Sequence, residues 1–272
     1  MNALIAPGGI SSATCAAPGL VYRQAMDRKS SSNVERAAEI LLAIGNAGLE
    51  GMSLADIAEA LDDTKSAIHR ALQGLAKHGF VEQSSRRGRY RLGSAIYALS
   101  KRSFTMADLV EAVRPALVRI GSATRMSTYL MAHSGLDCVC LDFQEGIYPI
   151  RALLNGVGGR IPLGVSVAGV CILSTFDPAT RNAMLAENEA ALTAAGFEPD
   201  GVLAEAQLAA EKGFAVRPGA DETDVMSLAV VLPRDKVHAA AAIAVVPPWR
   251  DIDPAKVADI VTLIRTEAAR GI

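Results

Sequence analysis

Between residues 33 and 80 the apolar positions recur at helical spacing in three short runs. Ser32-Asn33-Val34-Glu35 has the capping-box pattern, and Val34, Ala37, Ile40, Leu41 and Ile44 continue as one stripe. The glycines from Gly45 to Gly51 interrupt it. Ser53-Leu54-Ala55-Asp56 resembles a second cap, and Leu54, Ile57, Ala58 and Leu61 form its apolar face. In the third run Ile68, Ala71, Leu72, Leu75 and Ala76 share one face, while Lys65, Ser66, His69, Arg70, Gln73 and Lys77 share the other. Asp62 or Asp63 is expected to cap this helix, since either acid suits the positive end of its dipole. Gly79 is placed to end it. Gly74, inside it, costs about 1 kcal/mol against Ala, and a close helix contact would account for its presence. Phe80–Gln83 then reads as a strand, Ser84–Gly88 as a turn and Arg89–Leu92 as the returning strand. Three helices and a hairpin within about 60 residues predict a winged helix-turn-helix over 31–92.

The pattern then changes. Ser94–Phe104 is amphipathic and is expected to be a linker helix, placed over 93–106. Asp108–Ala123 predicts a further helix with Pro115 inside it. From Ser127 onward, strand patterns (Ser127–Ala132, Cys138–Phe143, Gly213–Arg217, Ser227–Leu232, Ala239–Val246) mix with helical ones (Ser166–Ser174, Pro178–Glu189, Gly201–Lys212, Pro254–Arg270). Asp253 is a natural cap for the last helix and Pro254 a natural first residue. The fold class expected for 107–272 is therefore α+β around an antiparallel sheet. Residues 1–30, rich in Ala, Gly and Ser without sustained period, are expected to form a disordered tail, with Arg23, Arg28 and Lys29 as a weak basic arm.

Charge sharpens the picture. The 272 residues carry a formal net charge of −2. Thr64–Arg102 holds nine basic residues against the single acid Glu82, a net +8, which leaves −10 for the remainder. A basic block in an otherwise acidic chain points to an anionic partner for that block. The four cysteines, Cys15, Cys138, Cys140 and Cys171, have neither C-x-x-C nor zinc spacing. No metal or cofactor is expected, and a reduced, cytoplasmic setting fits. Cys138 and Cys140 alternate and should share one strand face. No run approaches the roughly 20 apolar residues of a membrane span, and the first residues lack the basic start of a signal peptide.

The segments NVERAAEILLAI, SLADIAEAL, KSAIHRALQGLAKHGFVE and GRYRLGSAIYAL resemble the DNA-binding domain of the IclR family of bacterial transcriptional regulators. LVEAVRPALVRIGSATRMSTYLMA, GGRIPLGVSVAG and EKGFAV resemble its GAF-like effector-binding domain. The resemblance implies a homodimer, or a dimer of dimers, that places its third helix in the major groove of operator DNA. It further implies a small organic or aromatic acid in the C-terminal domain, and commonly repression of a catabolic operon. The alternative is a DNA-binding dimer whose C-terminal domain only dimerises.

A reader of base edges needs polar side chains on one helix face and an apolar face to hold it. Thr64, Lys65, Ser66, His69, Arg70 and Gln73 supply the polar face, with Arg70 best suited to a guanine. Thr64, Lys65 and Ser53 are also placed for phosphates, and Arg86, Arg87 and Arg89 for the backbone or minor groove beside the wing. By resemblance the effector pocket is walled by Gly159, Ile161 and Leu163, by the helix start at Ser166, Val167 and Ala168, and by Tyr129, Met131, Cys140, Ser227 and Ala229. Three positions depart from the family's pattern. Arg217 stands where an acid is common, Ser227 where a Cys is common, and Val170 follows Gly169 where Lys is usual. Arg217, Ser227 and the start at Ser166 would then hold an acidic effector.

Catalysis finds little support. Gly164-Val-Ser166-Val-Ala-Gly169 has one residue too many for a nucleophile elbow. His133 and Asp142 could join Ser166 only as a forced triad. Neither a phosphate-binding loop nor a dinucleotide fingerprint is present.

Overall fold

The computed structural model describes residues 33–84, 88–102, 104–147, 156–218, 226–233, 237, 239–247 and 253–272. The expected tail over 1–30, the Ser32 cap and the wing residues Arg86 and Arg87 lie outside the described residues.

Helices α1 (Asn33–Asn46), α2 (Leu54–Ala60) and α3 (Lys65–Lys77) precede the antiparallel pair β1 (Val81–Gln83) and β2 (Tyr90–Leu92), in the register Val81↔Leu92 and Gln83↔Tyr90. Their shared core is Ile40, Ile44, Ile57, Ile68, Leu72 and Val81, each at most 2% exposed. Full burial of such a side chain stabilises by about 1.5–3 kcal/mol, so this small core fixes the angle at which α3 is presented. Ser53 and Asp56 form the expected capping box on α2. The cap of α3 differs from expectation. Thr64, not Asp62 or Asp63, accepts from the Ala67 amide, at 3.3 Å. Asp63 is otherwise engaged: it accepts from Arg36 Nε of α1 at 2.6 Å and from the Thr64 amide at 2.6 Å. Gly79, with φ of 72°, follows the end of α3 as expected. Gly74 makes no close helix contact, because nothing lies within 4 Å of where its Cβ would be.

The linker helix is shorter than its sequence pattern. Helix α4 (Ser94–Ser100) ends in a turn at Lys101–Arg102, and α5 (Phe104–Thr124) begins four residues before the expected Asp108, so the 106/107 boundary falls inside α5. Strands β3 (Ser127–Ser134), β4 (Asp137–Gln144), β5 (Arg160–Pro162), β6 (Phe214–Arg217), β7 (Ser227–Val231) and β8 (Ala241–Val246) form one antiparallel sheet in the order β5-β4-β3-β8-β7-β6. β5 was not expected as a strand. Its three residues pair with Asp137–Val139, and Arg160 donates from Nε to Asp137 at 2.9 Å. The helices between β5 and β6 are α6 (Val167–Ser174), α7 (Pro178–Glu187), α8 (Glu189–Ala194) and α9 (Pro199–Lys212). Asn188 divides the single helix expected over Pro178–Glu189, because its amide group turns to donate to Leu136 O at 2.7 Å. The last helix, α10 (Pro254–Ala269), is capped by Asp253 as expected.

The sheet is sandwiched. Leu130, Leu228, Val230, Ile243 and Val245 pack with α5 and α10 on one face. Tyr129, Met131, Cys138, Cys140, Ala229 and Ala242 pack with α6, α7, α8 and α9 on the other. Arg119 of α5 and Arg270 both engage Glu267, tying α5 to α10. A β-bulge at Leu130/Met131 breaks the alternation of β4. Cys140 still pairs with Met131, yet Asp142 pairs with Leu130 and Phe143 with Tyr129. Asp142 thus reaches Arg114 of α5 at 3.1 Å, while Phe143 stacks on Tyr129 at 4.8 Å on the α6 face.

Candidate DNA interface and effector pocket

On α3 the two faces separate, except that Ala76 of the apolar stripe is exposed. Ile68 and Leu72 are at most 1% exposed, while Lys65, Ser66, His69, Arg70 and Gln73 are all exposed. Thr64 is also exposed, but its hydroxyl caps the helix and lies 3.2 Å from Ser66 Oγ. Ser53 is occupied as a cap: its hydroxyl accepts from the Asp56 amide and its own amide donates to Asp56 Oδ2, each at 3.1 Å. That backbone bond is the main reason the Asp56 carboxyl is held below its ordinary range.

Arg89 is turned back onto its own domain. Its Nε donates to Glu50 O at 3.1 Å and Gly51 O at 3.2 Å, and its Nη2 to Gly51 O at 2.8 Å. The same Nη2 lies 3.4 Å from Asp56 Oδ2. Asp56 and the Glu50–Gly51 carbonyls were not among the sequence candidates. The signals for them were the cap pattern of Ser53–Asp56 and the glycines before it.

On the α6 face the structure gathers the expected effector residues. Tyr129, Met131, Cys140, Ile161, Leu163, Val167, Ala168 and Ala229 belong to one buried cluster. Gly159 is buried beside them and accepts from the Cys140 amide at 2.9 Å. Ser166 caps α6, accepting from the Gly169 amide at 3.0 Å. The sheet residues below α6 are small, which lets the helix lie close: Cys171 Sγ donates to Ala229 O at 3.3 Å. Burial pushes the Cys140 and Cys171 thiols up to about 12 and Cys138 higher still. All three are neutral thiols at physiological pH and poor nucleophiles.

Arg217 lies against the turn that enters α6. It donates from Nη1 to Val165 O at 2.6 Å, and from Nη2 to Gly164 O at 3.2 Å and Glu205 Oε2 at 2.7 Å. Its guanidinium lies 4.4 Å from the Phe197 ring centroid. Glu205 neutralises the charge, and only the buried Nε lacks a partner. Ser227 lies opposite Arg217 in the β6–β7 register. Phe143, Phe197 and Glu205 went unnoticed in the sequence: the bulge conceals the face of Phe143, and the other two stand in a loop and a helix without a distinguishing pattern.

The geometry does not assemble a triad. Asp142 lies on the α5 face, whereas Ser166 lies on the α6 face and the His133 ring meets Phe176 edge-on at 5.0 Å. Among the described residues no group of three or more His, Cys, Asp or Glu is placed to hold a metal. Two clefts of about 440 and 500 Å³ flank Arg265 near the β6 edge and include none of the expected effector residues. Both are lined mainly by apolar side chains. No helix among the described residues is long and apolar enough to cross a membrane.

Comparison with known proteins agrees with this architecture. Residues 33–85 match the IclR helix-turn-helix domain, and residues 101–272 match the bacterial transcriptional regulator IclR C-terminal domain. The glycerol operon regulatory protein of Streptomyces griseus is 31% identical over 250 residues, 87% of this chain and 93% of that protein. The HTH-type transcriptional regulator XynR of Escherichia coli is 26% identical over 153 residues, spanning 56% of this chain and 60% of XynR. In fold, an IclR transcriptional regulator from Silicibacter sp. TM1040 superposes with a TM-score of 0.71 at 22% identity, covering 88% of this chain and 94% of its own. An IclR homologue from Microbacterium hydrocarbonoxydans, solved with 4-hydroxybenzoate, gives 0.65 at 20% identity over 88% of this chain and all of its own. A winged helix-turn-helix followed by a sandwiched antiparallel sheet, matched over both parts, places this chain in the IclR family of DNA-binding bacterial transcriptional regulators.

Proposed function

We propose that α3 enters the major groove of operator DNA through Lys65, Ser66, His69, Arg70 and Gln73, with Thr64 at its start against a phosphate. The observation that carries this reading is the exposed polar face of α3 set opposite an apolar face anchored by the buried Ile68 and Leu72. A rigid helix with such a face presents hydrogen-bonding groups to base edges without itself yielding. Arg70 provides the fork suited to guanine. The wing arginines Arg86 and Arg87 add sequence-independent affinity for the backbone.

The C-terminal domain, in this proposal, binds a small organic or aromatic acid against the α6 face, between Tyr129–Phe143 and the helix start at Ser166. The stacked pair supplies an aromatic surface, and the α6 amides favour a carboxylate. The complex of the Microbacterium homologue with 4-hydroxybenzoate supports an aromatic acid as the ligand class. The protein acts as a cytoplasmic homodimer or homotetramer that represses a catabolic operon, and the acid alters its hold on the operator.

Selection of duplexes from a randomised pool by the parent protein, followed by thermal melts with a panel of organic and aromatic acids, tests both halves. The expected results are an enriched palindromic sequence and, at 100 times Kd, a ligand stabilisation of about 2.7 kcal/mol. Enrichment without any thermal shift would favour a C-terminal domain that only dimerises.

A further inference from the structure

We infer that Arg89 is a positioning residue for the wing rather than a phosphate contact. The inference rests on the reading that α3 and the wing together meet DNA. Arg89 stands at the root of β2, where the chain enters from the wing turn. Its guanidinium closes a ring of contacts with the loop that joins α1 to α2, through Glu50 O and Gly51 O, and with Asp56 at the start of α2. The backbone makes the same junction alongside it. The Met52 amide donates to Tyr90 O at 3.0 Å, and the Tyr90 amide donates to Met52 O at 2.7 Å. The approach is close enough that a Cβ on Gly51 would sit 2.2 Å from Tyr90 O.

The charge of Arg89 is therefore directed at two carbonyls and a carboxylate of its own domain. A planar fork can hold all three at once, which a lysine ammonium on a single stem cannot. Because α2 packs against α3, fixing β2 to the start of α2 fixes the wing relative to the reading helix. Asp56 serves both parts of the device: one oxygen takes the Ser53 amide and lies against Arg89.

Binding of a duplex selected by the parent protein, followed by anisotropy from 50 to 200 mM salt, separates position from charge. Arg89→Ala, Arg89→Lys, Asp56→Asn and the control Arg70→Ala are compared below each variant's melting transition. A positioning role predicts that Arg89→Ala and Arg89→Lys both weaken binding about tenfold and lower the salt slope alike, because the displaced wing loses the phosphate contacts of Arg86 and Arg87. Asp56→Asn keeps an acceptor for the Ser53 amide but loses the ion pair, and it too should weaken binding. Simple electrostatics predicts the reverse, since it removes a negative charge near the DNA. A direct phosphate contact would leave Arg89→Lys near parental and lower the slope for Arg89→Ala by about 0.9, which would overturn the inference. Parental binding by all three variants would overturn it as well. If Arg89→Ala does not fold, Asp56→Asn decides alone. If Arg70→Ala also binds as the parent does, the reading of α3 has failed and the inference falls with it.

Discussion

Gly74→Ala should stabilise the N-terminal domain. Gly74 is the tenth of the 13 residues of α3, and its φ lies outside the left-handed region. An added Cβ would meet nothing within 4 Å. The change therefore carries neither clash nor strain, and only the intrinsic preference of Ala over Gly remains, about 0.8–1.0 kcal/mol in a helix interior. Unfolding of a domain of this size has a small entropy, so the same increment raises its Tm by about 4–8 °C. Differential scanning calorimetry of the full chain resolves this if the N-terminal domain melts as its own transition; urea titration followed by helical circular dichroism gives the same quantity. Since base contact is assigned to the turns from Thr64 to Gln73, operator affinity should stay within about twofold. An unchanged or lowered melting temperature would refute the reasoning. A large loss of DNA affinity in a stabilised protein would show that the third turn of α3 also lies against DNA.

Three other outcomes follow from the same geometry. Gly51→Ala should destabilise by about 2 kcal/mol or more, through its φ of 64° and the carbonyl of Tyr90 in its way, seen as a lowered urea midpoint. A thiol reagent at pH 8 should modify Cys138, Cys140 and Cys171 only at the rate of unfolding. Their pKa values are raised in the folded protein, so the stabilisation they contribute is complete below the unfolded thiol value and is lost as pH climbs toward about 12. Rapid reaction of any of the three in the native protein would contradict the packing. Asp63 has the opposite sign: its hydrogen bond from Arg36 holds its carboxyl below the ordinary range. The advantage of the parent over Asp63→Asn should therefore be full above about pH 4 and shrink as pH falls through the folded value, as melts from pH 6 to pH 3 would register.

Local periodicity was enough to place α1, α2, α3 and the wing, because each needs only its neighbours in sequence. The same holds for the Ser53 capping box and the Asp253 cap. What stayed hidden depends on partners distant in the chain. Thr64 replaces the two aspartates as cap because Arg36, 27 residues earlier, takes Asp63. Strand β5 has no pattern of its own and exists by pairing with β4. The bulge that turns Asp142 toward α5 and Phe143 toward Tyr129 leaves no mark on an otherwise alternating strand. Arg89 and Arg217 show the clearest limit. Both were placed at sites by their charge and position, and both spend their hydrogen bonds on carbonyls contributed from far away in the sequence, which no local reading could name.

The central claim is that the exposed face of α3 reads DNA. Its most direct test is the affinity of Arg70→Ala for a duplex selected by the parent protein, measured with single-base variants of that duplex. Loss of a bidentate contact predicts a weakening of about 1–3 kcal/mol and a flattened preference at one base pair of each half-site. Binding as tight and as selective as that of the parent would contradict the account.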